Sequence, residues 1–140
     1  MTQDRRSFLK QSSVAVAAGA FNPPQRSAPD APFAHHVLFW LKDKENKDTR
    51  ARLLAALKRL GKIDKVRFLH VGAPSISDVE FEARATDATY TFSYLALFDS
   101  KEDKENYLHH PLHTKFVEDF GPSKGMISKV VIYDSMRIPD

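Results

Sequence analysis

The chain has 140 residues, which is enough for one folded domain. It carries 21 basic and 18 acidic side chains, and residues 21–140 alone are nearly neutral, so nothing indicates an electrostatic nucleic-acid surface. The absence of cysteine excludes disulfides, thiolate metal ligands and a cysteine nucleophile.

The N-terminus predicts an export signal over residues 1–20. Arg5 and Arg6 lie in D-R-R-S-F-L-K, an apolar run follows at 14–20, and its last three residues fit the small-x-small cleavage rule. The run is too short to span a membrane. The segment resembles a twin-arginine (Tat) signal, which implies the Tat machinery as a partner and a periplasmic or secreted protein. The alternative is an amphipathic N-terminal helix with two chance arginines.

Four prolines in residues 21–32 predict a disordered linker, and the domain is expected at 33–140. A buried strand is predicted at 36–41, an amphipathic helix at 48–60, a strand at 66–71, an irregular loop at 72–87, a strand at 88–98 and a last strand at 126–133. Period-two alternation places His36 and Trp40 on one face of the first strand, and Tyr90 and Phe92 on one face of the third.

Residues 100–120 predict two helical stretches with a break between them. Ser100 is a predicted N-cap, and Pro111 ends the first stretch because it lacks an N–H group. In the second stretch His113 recurs with three apolar residues at helical spacing, so its ring lies on the apolar side, where a ring nitrogen needs a partner.

The predicted order is β-α-β-β-α-β, an α+β, ferredoxin-like arrangement with a four-stranded antiparallel sheet and helices on one face. The first and third strands are apolar on both faces, so the face without helices needs a second cover. No further element remains to provide one. The sequence therefore predicts a homodimer through the open sheet face, forming a dimeric α/β barrel.

Four segments carry a resemblance to a known family. They are H-V-L-F-W-L-K at 36–42, residues 94–100, Y-L-H-H-P-L-H-T-K-F at 107–116 and I-S-K-V-V-I-Y-D at 127–134. On these motifs the chain resembles the stress-responsive dimeric α/β-barrel (Dabb) family. The family includes enzymes and proteins with no known reaction, so the resemblance implies a fold more strongly than an activity.

The resemblance implies a candidate site. Plant polyketide cyclases in this family close a chain by an aldol step without metal or cofactor, and by position Tyr107 and His113 match their acid–base pair. His36 matches a first-strand histidine, whereas Phe92 replaces a pocket histidine of those enzymes. A histidine base and a tyrosine that holds an oxyanion suit such chemistry.

The residues predicted to bind a small apolar substrate are His36, Trp40, Tyr90, Phe92 and His110. No metal is expected, because Pro111 interrupts the helix that would align the neighbouring histidines. No cofactor is expected, because the sequence has neither a G-x-G-x-x-G motif nor a P-loop.

The alternative is a stress-linked structural protein, in which Tyr107 and His113 form a buried hydrogen-bonded pair and His110 caps the helix break.

Overall fold

The computed structural model describes residues 30–140. The signal predicted at 1–20 and nearly all of the linker predicted at 21–32 lie outside the described residues, so both stay predictions.

Strictly alternating burial marks the first strand, β1 (Phe33–Leu41), as the centre of a two-sided sheet. β1 pairs antiparallel with β3 (Phe92–Phe98) on one side and β4 (Ile127–Met136) on the other, and β2 (Phe68–Gly72) pairs with β3. The strand order is therefore β2-β3-β1-β4, with β4 at an edge. In this register Val37 lies between Tyr94 and Ile132, and His35 lies between Ala96 and Asp134.

The helices begin and end where local chemistry dictates. α1 (Lys47–Leu60) is capped by Asn46, α3 (Lys101–Leu108) by Ser100, and α4 (Pro111–Phe120) by His110. Pro111 occupies the first turn of α4, where a missing N–H costs nothing, and this separates α4 from α3. The predicted break at Pro111 is confirmed. A short helix, α2 (Glu80–Ala85), and a 3₁₀ turn (Pro122–Lys124) complete the elements.

The core lies between one sheet face and the helices. α1 contributes Leu53 and Leu57, both fully buried, and the sheet contributes alternate residues of β1 and β3. Burying such side chains stabilises the fold by about 1.5–3 kcal/mol each. Within the described part of the chain, the opposite sheet face has no helix over it. Its side chains from β1 and β3 are half-buried, and Phe68 and Tyr133 are exposed.

The ferredoxin-like fold is confirmed, but several boundaries differ from expectation. β3 begins at Phe92 instead of residue 88, because the Asp87 carboxylate accepts from both the backbone and the hydroxyl of Thr89 and turns the chain there. The loop expected at 72–87 contains α2, none of whose residues is buried. β1 begins three residues earlier than predicted, and β4 ends three residues later.

No helix among the described residues is long and apolar enough to cross a membrane.

Candidate functional site

A cavity of about 400 Å³ lies between the helices and the sheet. Its walls are mostly apolar side chains from all four of β1, β4, α1 and α4: Val37, Phe39, Leu57, Leu60, Phe116, Val117, Phe120, Ile127, Val130 and Ile132. Val117, Val130 and Ile132 are about half exposed, so the cavity opens between α4 and the edge strand β4. A cavity of this size and lining suits a small, mainly apolar molecule.

Polar groups meet at the closed end of the cavity. They are His35 on β1, Tyr94 on β3, Tyr107 on α3 and His113 on α4. The three fully buried rings pack edge-on, with ring centres 6.3 Å apart for His35 and Tyr94 and 6.0 Å apart for His35 and Tyr107. His113 lies across from Tyr107, at 4.9 Å between ring centres. The predicted apolar stripe of α4 and its histidine thus line this cavity.

The hydroxyls of Tyr94 and Tyr107 are hydrogen-bonded to each other at 2.7 Å. Burial raises the pKa of the Tyr94 hydroxyl to about 12, against the opposing effect of its bond to Tyr107. Burial also raises the pKa of Tyr107 far above its usual range, and the neighbouring Tyr94 adds to the rise. Both side chains are therefore neutral hydroxyls near pH 7. One of them donates to the other, and the second proton is available to a ligand oxygen.

His35 is held by an acid from the edge strand. Its Nδ1 lies 2.6 Å from Oδ1 of Asp134, and the ring is 5% exposed. Burial lowers the pKa of His35, although the hydrogen bond and charge of Asp134 oppose that shift. Because Nδ1 is the ring nitrogen paired with Asp134, Nε2 is the nitrogen that remains for the cavity, which His35 lines.

Asp134 also binds a lysine. Its Oδ2 lies 3.2 Å from Nζ of Lys104, which in turn lies 2.9 Å from Oε1 of Glu105. Desolvation would raise the pKa of Asp134, but His35 and then Lys104 outweigh it and hold that pKa below its usual value. The carboxylate is therefore ionised at neutral pH and accepts the Nδ1–H of a neutral His35.

His113 is a second neutral imidazole. Burial is the main cause of its lowered pKa, and the charge of a protonated His35 would lower it further. The two histidines thus disfavour each other's protonated forms. Together the closed end offers unprotonated imidazole nitrogens as acceptors and neutral phenols as donors, the groups needed to remove a proton next to a carbonyl and hold the resulting oxygen charge.

The predicted pair of Tyr107 and His113 is brought together, but not by a hydrogen bond. The Tyr107 hydroxyl bonds Tyr94, so the expected Tyr107–His113 hydrogen bond is wrong, and the two rings meet edge to face.

The predicted role of His110 as a cap is confirmed: its Nδ1 accepts from the Leu112 N–H at 3.1 Å. This satisfies one of the free amides at the start of α4, and His110 does not line the cavity.

The other predicted substrate-binding residues also lie away from the cavity. Trp40 is on the open sheet face, where Nε1 donates to Thr89 Oγ1 at 2.9 Å and the ring packs on Tyr90. His36 shares that face because it alternates with His35. Phe92 is buried on the helix side, with the Arg50 guanidinium 5.2 Å from its ring centre. These positions do not support contacts with a ligand held in the cavity, and their binding role stays a prediction.

His35, Tyr94 and Asp134 were not predicted from the sequence as members of the site. The His35–His36 doublet was a usable signal, because one histidine of any adjacent pair in a strand must face the helices. Asp134 was missed because the predicted last strand stopped one residue short of it.

No group of three metal-ligating side chains is arranged to hold an ion in the described part of the chain.

The helix-covered sheet and its buried polar cluster place the chain among ferredoxin-like α+β proteins. The model of the stress-responsive A/B barrel domain family (Dabb) matches residues 33–136. The chain belongs to the Dabb family. No curated protein is significantly similar in sequence.

Several solved structures share the fold. A Dabb family protein with a ferredoxin-like fold from Mesorhizobium loti is 21% identical, with a TM-score of 0.60 over 78% of this chain and 99% of that one. A hydroxynitrile lyase from Passiflora edulis is 21% identical, with a TM-score of 0.61 over 80% and 98%. A dimeric ferredoxin-like protein of unknown function from Thermobifida fusca is 20% identical, with a TM-score of 0.58 over 80% and 96%. At these identities the likeness shows the fold.

Proposed function

We propose that this protein is an exported homodimer that binds a small, neutral, mainly apolar molecule in the cavity and moves a proton on it without a cofactor. The observation that carries the proposal is the composition of the cavity, in which apolar walls lead to a closed end made of two tyrosine hydroxyls and two neutral histidines. A hydroxynitrile lyase with the same fold supports an enzymatic role.

The ligand is proposed to be neutral because, among residues 30–140, the cavity lining offers no free cation to a charged head group. Lys104 is paired with Asp134 and Glu105 behind the closed end. Lys129 is a lining residue, but its ammonium lies 4.7 Å from the Trp40 ring centre, on the other side of the sheet. A carboxylate placed at the closed end would be desolvated without a partner, which is strongly unfavourable.

The proposed roles follow from the protonation states. His113 accepts a proton from a carbon next to a carbonyl group, and the hydroxyl of Tyr107, backed by Tyr94, donates to the carbonyl oxygen as charge develops there. His35 offers Nε2 as a second acceptor in the same space, with Asp134 holding the other ring nitrogen. The proton returns from the imidazolium to the product, so the step needs no external acid.

One observation favours a second candidate, a structural protein of the stress response. Tyr107 is 1% exposed and its hydroxyl is satisfied by Tyr94, so the pair can tie α3 to β3 without any ligand. In that case the polar end only stabilises the fold, and a satisfied buried hydrogen bond of this kind contributes about 1 kcal/mol.

The homodimer is proposed through the open sheet face. That face presents half-buried apolar residues of β1 and β3, among them Leu38, Leu95 and Leu97, together with exposed Phe68 on β2. Such a surface on a small domain is typical of a protein interface. The dimeric Thermobifida fusca protein has the same fold, which supports a second copy as the cover.

Export is proposed from Arg5 and Arg6 and the apolar run after them. A Tat substrate folds before it crosses the membrane, so the cavity and the dimer would form in the cytoplasm. The protein would then act in the periplasm or outside the cell.

Hydrogen–deuterium exchange tests the proposed chemistry without knowledge of the natural substrate. Neutral ketones such as benzylacetone are incubated with the protein in D₂O, and loss of the proton signal next to the carbonyl is followed by NMR. We expect the wild type to accelerate exchange and His113→Ala to lose at least about a hundredfold of it, as for removal of a general base. His109→Ala is the matched control, since this histidine is exposed and does not line the cavity. No acceleration for any ketone that raises the melting temperature would contradict the acid–base proposal and favour the structural candidate.

A further inference from the structure

Lys104 is the one buried lysine or arginine among residues 30–140, with 7% of its surface exposed. Its neighbours Lys101 and Glu102 in the first turns of α3 are exposed, as expected for the solvent side of a helix. Burial of an ammonium group is costly unless the charge is paired. The position of Lys104 therefore needs an explanation in its contacts.

Those contacts lead directly to the cavity. Lys104 Nζ binds Oδ2 of Asp134 at 3.2 Å, and Oδ1 of the same carboxylate binds His35 Nδ1 at 2.6 Å. The two oxygens of Asp134 thus join a lysine on α3 to a histidine on β1. The ammonium also lies 5.6 Å from the Phe33 ring centre, which closes this cluster toward the start of β1.

We propose that Lys104 is a positioning residue for His35: by binding the second oxygen of Asp134, it orients the carboxylate on Nδ1 and balances its charge, so that His35 stays neutral with Nε2 open to the cavity. This assignment rests on the proposed function in one respect, namely that His35 serves the ligand as a proton acceptor. It goes beyond that function because it names a residue outside the cavity that helps to keep His35 neutral.

Without the lysine, Asp134 would act on His35 as an unbalanced negative charge. A lone carboxylate next to an imidazole favours the imidazolium form, which cannot accept a proton. Burial is the main cause of the lowered pKa of His35, and the charge of Lys104 lowers that pKa further, while Asp134 and Glu105 raise it. Lys104 therefore opposes the effect of the carboxylate. The titratable groups that face His35 are contributed by β3, β4, α3 and α4: Tyr94, Asp134, Lys104, Glu105, Tyr107 and His113.

A purely structural lysine would behave differently. It would tie α3 to the edge strand β4, and its removal would lower the free energy of unfolding while leaving the proton affinity of His35 unchanged. The protonation of His35 is therefore the readout that separates a positioning role from a structural one.

The test is a pH titration of the histidine ring signals by NMR on the complete chain without ligand, with His35 assigned by comparison with His35→Ala. In Lys104→Met we expect the pKa of His35 to rise above its value in the wild type, since the carboxylate charge is no longer balanced. Lys104→Arg keeps the charge and should titrate like the wild type. Glu105→Gln is the matched control for a lost charge, and it should move the pKa of His35 slightly downward.

A His35 titration in Lys104→Met that equals the wild type within error would overturn the proposal. If Lys104→Met does not fold, Lys104→Gln, which keeps a hydrogen-bond donor for Asp134 but no charge, takes its place in the same titration. In the wild type, ring nitrogen shifts near pH 7 that show an imidazolium or an Nε2–H form of His35 would also contradict the assignment. The outcome is independent of the ketone assay. A shifted titration with no exchange activity would remove the proposed chemistry and leave the role of Lys104 intact, whereas exchange without a shift would do the reverse.

Discussion

Removal of one hydroxyl from the buried tyrosine pair should destabilise the protein, because the other hydroxyl is then buried without a hydrogen-bond partner. Tyr107→Phe leaves the Tyr94 hydroxyl buried without its partner at 2.7 Å, and both residues are 1% exposed. An unsatisfied buried hydroxyl costs about 1–3 kcal/mol. We therefore expect each single variant, Tyr107→Phe and Tyr94→Phe, to lose about that much of the free energy of unfolding.

The double variant should recover part of this loss. Replacing both partners by apolar groups of the same shape is nearly neutral, so the coupling between the two hydroxyls should be about 1 kcal/mol or more. Urea unfolding at fixed protein concentration measures all three variants, and the concentration is fixed because a dimer gains stability by mass action. Tyr90→Phe, at a half-buried tyrosine outside the cavity, is the control and should change the stability by less than about 0.5 kcal/mol. Single effects that simply add would show that the hydroxyls do not depend on each other and would refute the reasoning.

Three further predictions concern pH, assembly and export. Burial lowers the pKa of His35 and of His113, so as the pH falls the unfolded chain takes up protons on these histidines before the folded protein does. The free energy of unfolding should therefore fall as the pH drops below the ordinary histidine pKa of 6.5. Denaturant melts that show equal or greater stability at about pH 5 than at about pH 7 would contradict this. Light scattering at micromolar concentration should give twice the mass of one chain, and a single-chain mass would refute the dimer. Arg5→Lys combined with Arg6→Lys should leave the protein uncleaved in the cytoplasm, and fractionation that still recovers processed protein in the periplasm would rule out the Tat route.

The fold could be predicted because its signals are local and repeated. The alternation of β1 and β3, the apolar stripe of α1 and the break at Pro111 each constrain a single element. Pro111 is the most informative of them, since proline at the first turn of α4 both starts that helix and ends the one before it. The order of these elements then leaves few topologies open.

The closed end of the cavity could not be predicted as well, because it depends on register across the sheet. Period two places His35 and His36 on opposite faces, but the sequence does not state which face the helices cover. The family motif led to the prediction that His36 binds the substrate, whereas in the structure His35 lines the cavity. Asp134 reaches His35 only through the antiparallel pairing of β1 with β4, a contact between residues 99 positions apart.

The partner of Tyr107 was mistaken for a related reason. His113 is close to Tyr107 in sequence, just across the break at Pro111, so a local hydrogen bond was the simplest expectation. Tyr94 lies on β3 and meets Tyr107 only because α3 packs across that strand. Short α2 was missed because it buries no residue and so lacks an apolar stripe.

Binding of a neutral fluorescent probe tests the central claim, that the cavity takes a small apolar molecule. N-phenyl-1-naphthylamine is titrated into the wild type, into Val130→Trp, which places a large ring at the half-exposed mouth, and into Ile76→Trp, a matched change at an exposed loop position. We expect saturable binding to the wild type and to Ile76→Trp, and an affinity at least about tenfold weaker, or about 1.4 kcal/mol, in Val130→Trp. Equal binding by Val130→Trp and the wild type, or no saturable binding by the wild type, would contradict the account.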